Sequence, residues 1–231
     1  TELAEQVRQV PQREGSYLLV GSPAYRQFGQ DDYRYYNRAY LFSPQGEELG
    51  FSDKIHLVPF GEYVPLGKLL SFIDKLVVGL GDFEPGTVNP LSLNGHQLGV
   101  LICYEIIFPE LARDYVRQGT DLLINLTNDA WFGRSSAPYQ HMAMARFRAI
   151  ENRIWLARAA NTGISGLISP SGEVTLSGPI YEKLQLTGTV GLGSEPTFYT
   201  RFGPVMAQGC LALTVVAAGL LLYSRRKDSA V

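Results

Sequence analysis

The sequence predicts an α/β layered-sheet domain over residues 1–200, a single transmembrane helix over 204–223 and a basic tail over 224–231. Three observations predict this. Short apolar runs with strand character alternate with helical patterns through the first 200 residues. The final uncharged stretch is as long as a bilayer core is thick. Of the 231 residues, 45% are hydrophobic and 18% charged, below the roughly 25% charged residues of ordinary soluble domains.

The elements follow in order. TELAEQVRQVPQREG (1–15) reads as a polar helix and turn, and SYLLVGS (16–22) as a strand. YRYYNRAYLFSP (33–44) alternates and runs into Pro-Gln-Gly, a strand and turn. DKIHLVPFGEYVP (53–65) is bounded by prolines and contains a glycine, which predicts a rigid loop. LGKLLSFIDKLVVGLGDF (66–83) is apolar and fits equally a surface helix packed on the sheet and an apolar lid touching lipid. QLGVLICYE (97–105) is a buried strand entered from an Asn-Gly turn. PELARDYVRQG (109–119) is a helix with Pro in its first turn and Gly at its end. DLLINLTND (121–129) is a second buried strand, and QHMAMARFRAIENR (140–153) a helix with Arg146, Glu151 and Arg153 among apolar residues. IWLARAAN and GLISPSGEV give two further strands joined through Asn-Thr-Gly.

Pro204 to Tyr223 carries no charge and is followed by Arg225, Arg226 and Lys227. Basic residues beside a span favour the cytoplasmic side, so the preceding domain is expected on the opposite face. The net charge of −2 and the lack of a basic block argue against a nucleic-acid partner. Two cysteines, one of them Cys210 inside the apolar run, cannot frame a disulfide-stapled fold. Thr1 is not an initiator Met and no signal-peptide pattern follows it. A domain outside the membrane must be exported, so the chain is expected to be the C-terminal part of a longer protein.

Chemistry concentrates in three places. Cys103 ends a buried strand just before a helix opening near Phe108-Pro109. There the helix dipole favours a thiolate, although a buried cysteine is more often a small hydrophobe. Lys54 precedes Glu62 by eight residues in the rigid loop. A lysine held by a carboxylate stays protonated and can stabilise an oxyanion. Glu105, two residues beyond Cys103 on a strand, is expected on the face of the thiol, or paired with an arginine of helix 140–153. His56, His96 and His141 lack ligand-like spacing, so no metal is expected. Asn125-Leu-Thr127 matches a glycosylation sequon but falls in an apolar strand, a fortuitous match. Trp131 and Phe132 read as packing residues.

LICYEIIFPE, KIHLVPFGEYVP, INLTNDAWFG, HMAMARFRAIENR and AANTGISGLISPSGE together resemble the nitrilase (carbon–nitrogen hydrolase) superfamily. Within it they are most similar to the apolipoprotein N-acyltransferases, bacterial inner-membrane enzymes that finish lipoprotein maturation. The resemblance runs from about Tyr17 to the basic tail. HLVPFGEYVP and LTNDAWFG are specific to that branch, and the C-terminal span matches it, whereas ordinary nitrilases are soluble.

The resemblance implies an αββα sandwich and a Glu-Lys-Cys triad. Cys103 matches the nucleophile, Lys54 the lysine and Glu62 the second carboxylate beside it. Tyr104 and Glu105 match the positions after the nucleophile and are expected at the substrate. Phe60, Tyr63, Phe72, Leu76 and Leu80 are expected to line or gate a lipid tail, since they adjoin the Lys54–Glu62 loop and no charge lies between Lys75 and Asp82. One feature departs from the pattern. The base Glu of the family lies on an earlier strand, and before Ser16 this chain has only Glu2, Glu5 and Glu14, in a polar helix and turn. The base, the first strands and further membrane helices are therefore expected upstream of Thr1.

The implied reaction needs no cofactor. It moves the sn-1 acyl chain of a phospholipid, through a Cys103 thioester, to the α-amine of an apolipoprotein's S-diacylglyceryl cysteine. The implied place is the bacterial inner membrane, with the domain on the periplasmic face and the C-terminus cytoplasmic. Two rivals stay open: a membrane-tethered amidase with water as acceptor, and a non-catalytic fragment that binds lipid or a partner through its sheet.

Overall fold

A computed structural model describes residues 2–30, 32–63 and 83–228. Phe72, Leu76 and Leu80 lie outside the described residues, as does all of the apolar stretch 66–83 except Phe83.

Helix α1 (Glu2–Glu14) is mostly exposed; it buries Pro11 and touches a turn through Gln12, whose Nε2 donates to the Gln45 carbonyl at 2.7 Å. Strands β1 (Leu18–Gln27), β2 (Tyr33–Phe42) and β3 (Glu48–Asp53) form an antiparallel sheet in that order. A second sheet has the order β4 (Leu91–Leu93), β5 (His96–Ile102), β6 (Leu122–Asn128), β7 (Leu156–Asn161), β8 (Gly166–Ile168), β9 (Val174–Ser177). Its central pairs β5–β6 and β6–β7 are parallel and the others antiparallel. Parallel neighbours need long crossovers. Here α2 (Pro109–Arg117) links β5 to β6, and α3 (Ala137–Asn152) links β6 to β7.

Side-chain alternation along the strands builds two cores. From β5, Leu98, Val100 and Ile102 meet Ala39 and Leu41 of β2 between the two sheets. Leu101 points the other way and joins Leu123, Leu156, Tyr115 and Ala145 between the large sheet and the helices. Helix α2 supplies that layer with Leu111, Ala112, Tyr115 and Val116, one face at helical spacing. The layers are thus helices, large sheet, small sheet.

The sequence expectation for 97–105 needs one correction. The strand ends at Ile102, and Cys103–Ile107 is a five-residue 3-10 turn. Cys103 therefore opens that turn rather than facing the start of α2. Strands β3 and β4 were not signalled by alternation, the first being short and polar and the second only three residues long.

Helix α4 (Phe198–Phe202) docks on the end of α3: Thr200 Oγ1 donates to Asn152 Oδ1 at 3.0 Å, and Thr197 Oγ1 bonds the Glu151 carbonyl. Gly203 ends α4 at φ 74°, and a Cβ there would run into the Arg113 guanidinium. Helix α5 (Val205–Asp228) follows at once. Its Val205–Tyr223 stretch, 19 residues of mean hydropathy 2.1, is long and apolar enough to cross a membrane. Among the described residues none of this stretch is buried.

Candidate active site

Lys54 leaves the end of β3 and is only 1% exposed. Its backbone is fixed on both sides: its N–H donates to the Asn37 carbonyl at 2.7 Å, and its carbonyl accepts from Gly86 at 2.8 Å. Gly86 must be glycine for this approach, because a Cβ would sit 2.5 Å from the Asp53 carbonyl oxygen. The ammonium lies 2.7 and 2.8 Å from the two Glu62 oxygens. Glu62 also accepts from Asn37 Nδ2 at 2.9 Å and from the Val58 N–H at 2.8 Å. The carboxylate is thus fully committed to holding the lysine and its own loop. Asn37 had no sequence signal, since it sits among tyrosines and arginines in β2 and reaches Glu62 only through the fold.

Tyr104 covers the lysine. Its ring centroid lies 5.2 Å from Lys54 Nζ, and its hydroxyl donates to the Leu57 carbonyl at 3.2 Å. Burial, then the nearby charge of Glu62, pushes this phenol above its usual range.

Glu105 is 1% exposed and is not on a strand. One oxygen accepts from the Ile55 and His56 N–H groups at 2.6 and 2.8 Å, the other from the Ile102 N–H at 2.7 Å. It neither shares a strand face with the thiol nor pairs with an arginine of α3; Arg148 bonds Glu151 instead. Buried on backbone amides, Glu105 ties the lysine loop to the cysteine turn. Burial pushes its carboxyl up to about 7, against the pull of those amides and of Lys54.

Cys103 is half-buried and adopts φ 57°. A left-handed conformation is uncommon for a residue with a Cβ and costs on the order of 1–3 kcal/mol, met only where surroundings enforce it. The carbonyl of Cys103 accepts from Asn125 Nδ2 at 3.1 Å, and the same nitrogen donates to the Leu101 carbonyl at 2.8 Å. Asn125 is fully buried, which accounts for the sequon match: the asparagine serves the fold's interior. Its Oδ1 accepts from Arg158, which also donates to Asp129 Oδ2 at 2.8 Å. Asp129 Oδ1 accepts from Thr127 at 3.0 Å and lies 3.0 Å from His141 Nδ1. Burial raises the Asp129 carboxyl, but the His141 hydrogen bond and the Arg158 charge bring it below its usual range.

Other expectations sort clearly. Phe60 is 57% exposed at φ 60°. Tyr63 lines a cleft of about 420 Å³ with Ile55, His56, Leu57, Phe83 and Pro85, beside the lysine loop. Trp131 is 88% exposed and so is not a packing residue, whereas Phe132, 38% exposed, sets its ring edge-on to the buried His141 with centroids 6.0 Å apart. His56 stacks on Phe108 with centroids 3.9 Å apart, and His96 lies beside Asp121. Among the described residues no group of three His, Cys, Asp or Glu side chains could hold a metal ion.

The Carbon-nitrogen hydrolase family model matches residues 1–191. The chain belongs to the carbon-nitrogen hydrolase family. Its sequence is 53% identical over 211 residues to the apolipoprotein N-acyltransferase of Geobacter metallireducens, covering 91% of this chain and 40% of that protein. It is 37% identical over 236 residues to the apolipoprotein N-acyltransferase of Nitrosomonas europaea, covering 98% of this chain and 44% of that protein. The chain thus spans about two fifths of the length of these curated relatives. Among solved structures, the carbon-nitrogen hydrolase from Helicobacter pylori G27 superposes with a TM-score of 0.59 at 18% identity, over 90% of this chain and 70% of that one. That likeness shows the carbon-nitrogen hydrolase fold. In this fold Lys54 pairs with Glu62 and lies beneath the Tyr104 ring.

Proposed function

We propose that this chain carries the acyl-transfer site of an apolipoprotein N-acyltransferase. The observation that carries the reading is the buried Lys54 ammonium, clamped by Glu62 and lying under the Tyr104 ring next to Cys103. A fixed, dehydrated cation is suited to a developing oxyanion.

Cys103, as thiolate, attacks the sn-1 ester carbonyl of a phospholipid. Lys54 and the Tyr104 N–H stabilise the tetrahedral oxyanion. The C–O bond breaks, and the lysophospholipid leaves with a proton from the general acid. A thioester remains on Cys103. The free α-amine of a diacylglyceryl-cysteine apolipoprotein attacks that thioester, and collapse returns the thiol and an N-acylated lipoprotein. The acid and base are one glutamate other than Glu62 and Glu105, whose oxygens are engaged elsewhere. Tyr63, Phe60 and the cleft beside them receive the acyl chain. The α5 span holds the site at the outer face of the inner membrane, with Arg225 and Arg226 cytoplasmic.

The test uses the full protein with phosphatidylethanolamine labelled in the sn-1 chain. Label is expected on the Cys103 peptide, released by neutral hydroxylamine and passed to a diacylglyceryl-cysteine peptide. Free fatty acid alone, with no transfer to the amine, would establish a hydrolase instead. Lys54→Met is expected to lower the acylation rate about 10²–10³-fold, the usual cost of one oxyanion donor.

A further inference from the structure

We propose that Asn125, oriented by Arg158, is a positioning residue that aims the Tyr104 N–H at the oxyanion formed on Cys103. This rests on the acyl-transfer reading above and assigns a task to a buried polar cluster that the chemistry itself does not use.

The cluster follows from strand register. In the parallel ladder β5–β6–β7, Leu101 pairs with Asn125 and Asn125 with Arg158. Parallel partners lie abreast on one face, so the asparagine stands between a carbonyl-bearing strand and a guanidinium. Both are buried, Asn125 at 0% and Arg158 at 4% exposure. The two hydrogens of Asn125 Nδ2 go to the Leu101 and Cys103 carbonyls, at 2.8 and 3.1 Å. These bonds bracket the point where the chain leaves β5 and turns left-handed at Cys103.

A peptide group is planar and trans, so its C=O and N–H point in opposite directions. Pinning the Cys103 carbonyl toward Asn125 therefore points the Tyr104 N–H away from it. That N–H belongs to the first turn of a helical segment, where backbone donors have no partner within the helix. Asn125 thus fixes the direction of a donor that nothing inside the turn would fix.

Arg158 makes the asparagine's orientation unique. An amide can flip, which here would set Oδ1 against two carbonyl oxygens. Donation from Arg158 to Oδ1 forbids that flip. Arg158 Nε is itself held by the Ile164 carbonyl at 3.1 Å, and its charge is matched by Asp129.

The experiment compares two reactions of Cys103 in the full protein. Acyl transfer from phosphatidylethanolamine passes through an oxyanion. Alkylation by iodoacetamide is a displacement at saturated carbon and forms none. Asn125→Asp keeps shape and the Arg158 contact but turns the donor toward the carbonyls into an acceptor. Its kcat for acyl transfer is expected to fall about 100-fold, with KM and the high-pH plateau of alkylation changed less than about threefold. Arg158→Lys keeps the charge beside Asp129 but loses the fork that grips Asn125, and should lower kcat about tenfold with the same split. Equal losses in transfer and alkylation, or full transfer in both variants, would overturn the proposal. If Asn125→Asp does not fold, Arg158→Lys decides alone. If wild-type protein takes no acyl group from phospholipid, the acyl-transfer reading fails separately, and the same comparison on p-nitrophenyl butyrate, which also forms an oxyanion, still decides the role of Asn125.

Discussion

A lysine with 1% of its surface exposed is tolerated only if its charge is matched and its carboxylate partner satisfied in turn. Glu62 meets that condition with Lys54, Asn37 and the Val58 amide. Asn37→Ala leaves the ion pair but loosens it, and should reduce kcat about tenfold with KM little changed, measured by steady-state acyl transfer. Glu105 carries a pH signature. Its folded pKa of about 7 lies above its ordinary 4.5, so the folded state holds a proton that the unfolded state releases. Stability from this group is full below about pH 4.5 and falls as pH rises toward 7, by about 3 kcal/mol in all. Chemical denaturation at pH 5 and pH 8 should show this loss, and Glu105→Gln should abolish it.

Elements decide where these residues meet. The loop after β3 and the turn after β5 come from opposite sheets, and Glu105 bonds both through the Ile55, His56 and Ile102 amides. Much of this was legible in the sequence: Lys54, Glu62 and Cys103 lie in short motifs, and the helices show their caps and periodicity. The rest was not, because it depends on contacts between distant segments. Asn37 is 25 residues from Glu62, and Arg158 is 33 from Asn125. Strand alternation also hid the end of β5 at Ile102, since the apolar run continues through a 3-10 turn. Gly163 is another such contact, for a Cβ there would strike the Asp129 carboxylate. Gly163→Ala should lower the thermal midpoint by several degrees, since displacing a buried charge partner costs about 1–3 kcal/mol and each moves a chain this size about 2–4 °C.

At the scale of the molecule, two sheets and a helix layer are followed by one apolar helix whose span is not buried among the described residues. Cys210 lies on that helix and is exposed. With Cys103 changed to Ala, Cys210 in intact membranes should react with a lipid-soluble maleimide and resist a charged, impermeant one until detergent is added. Equal reaction with both reagents before detergent would place α5 in water.

The joint between domain and helix has its own consequence. Two threonines fasten α4 to α3, and a glycine packed against Arg113 leads directly into α5. With α5 in a bilayer, so short a neck would leave the site almost no freedom to rise from its surface. On the acyl-transfer proposal encounters would then be two-dimensional: donor and acceptor would arrive by lateral diffusion, and turnover would follow their surface density in the leaflet rather than their concentration in the surrounding solution.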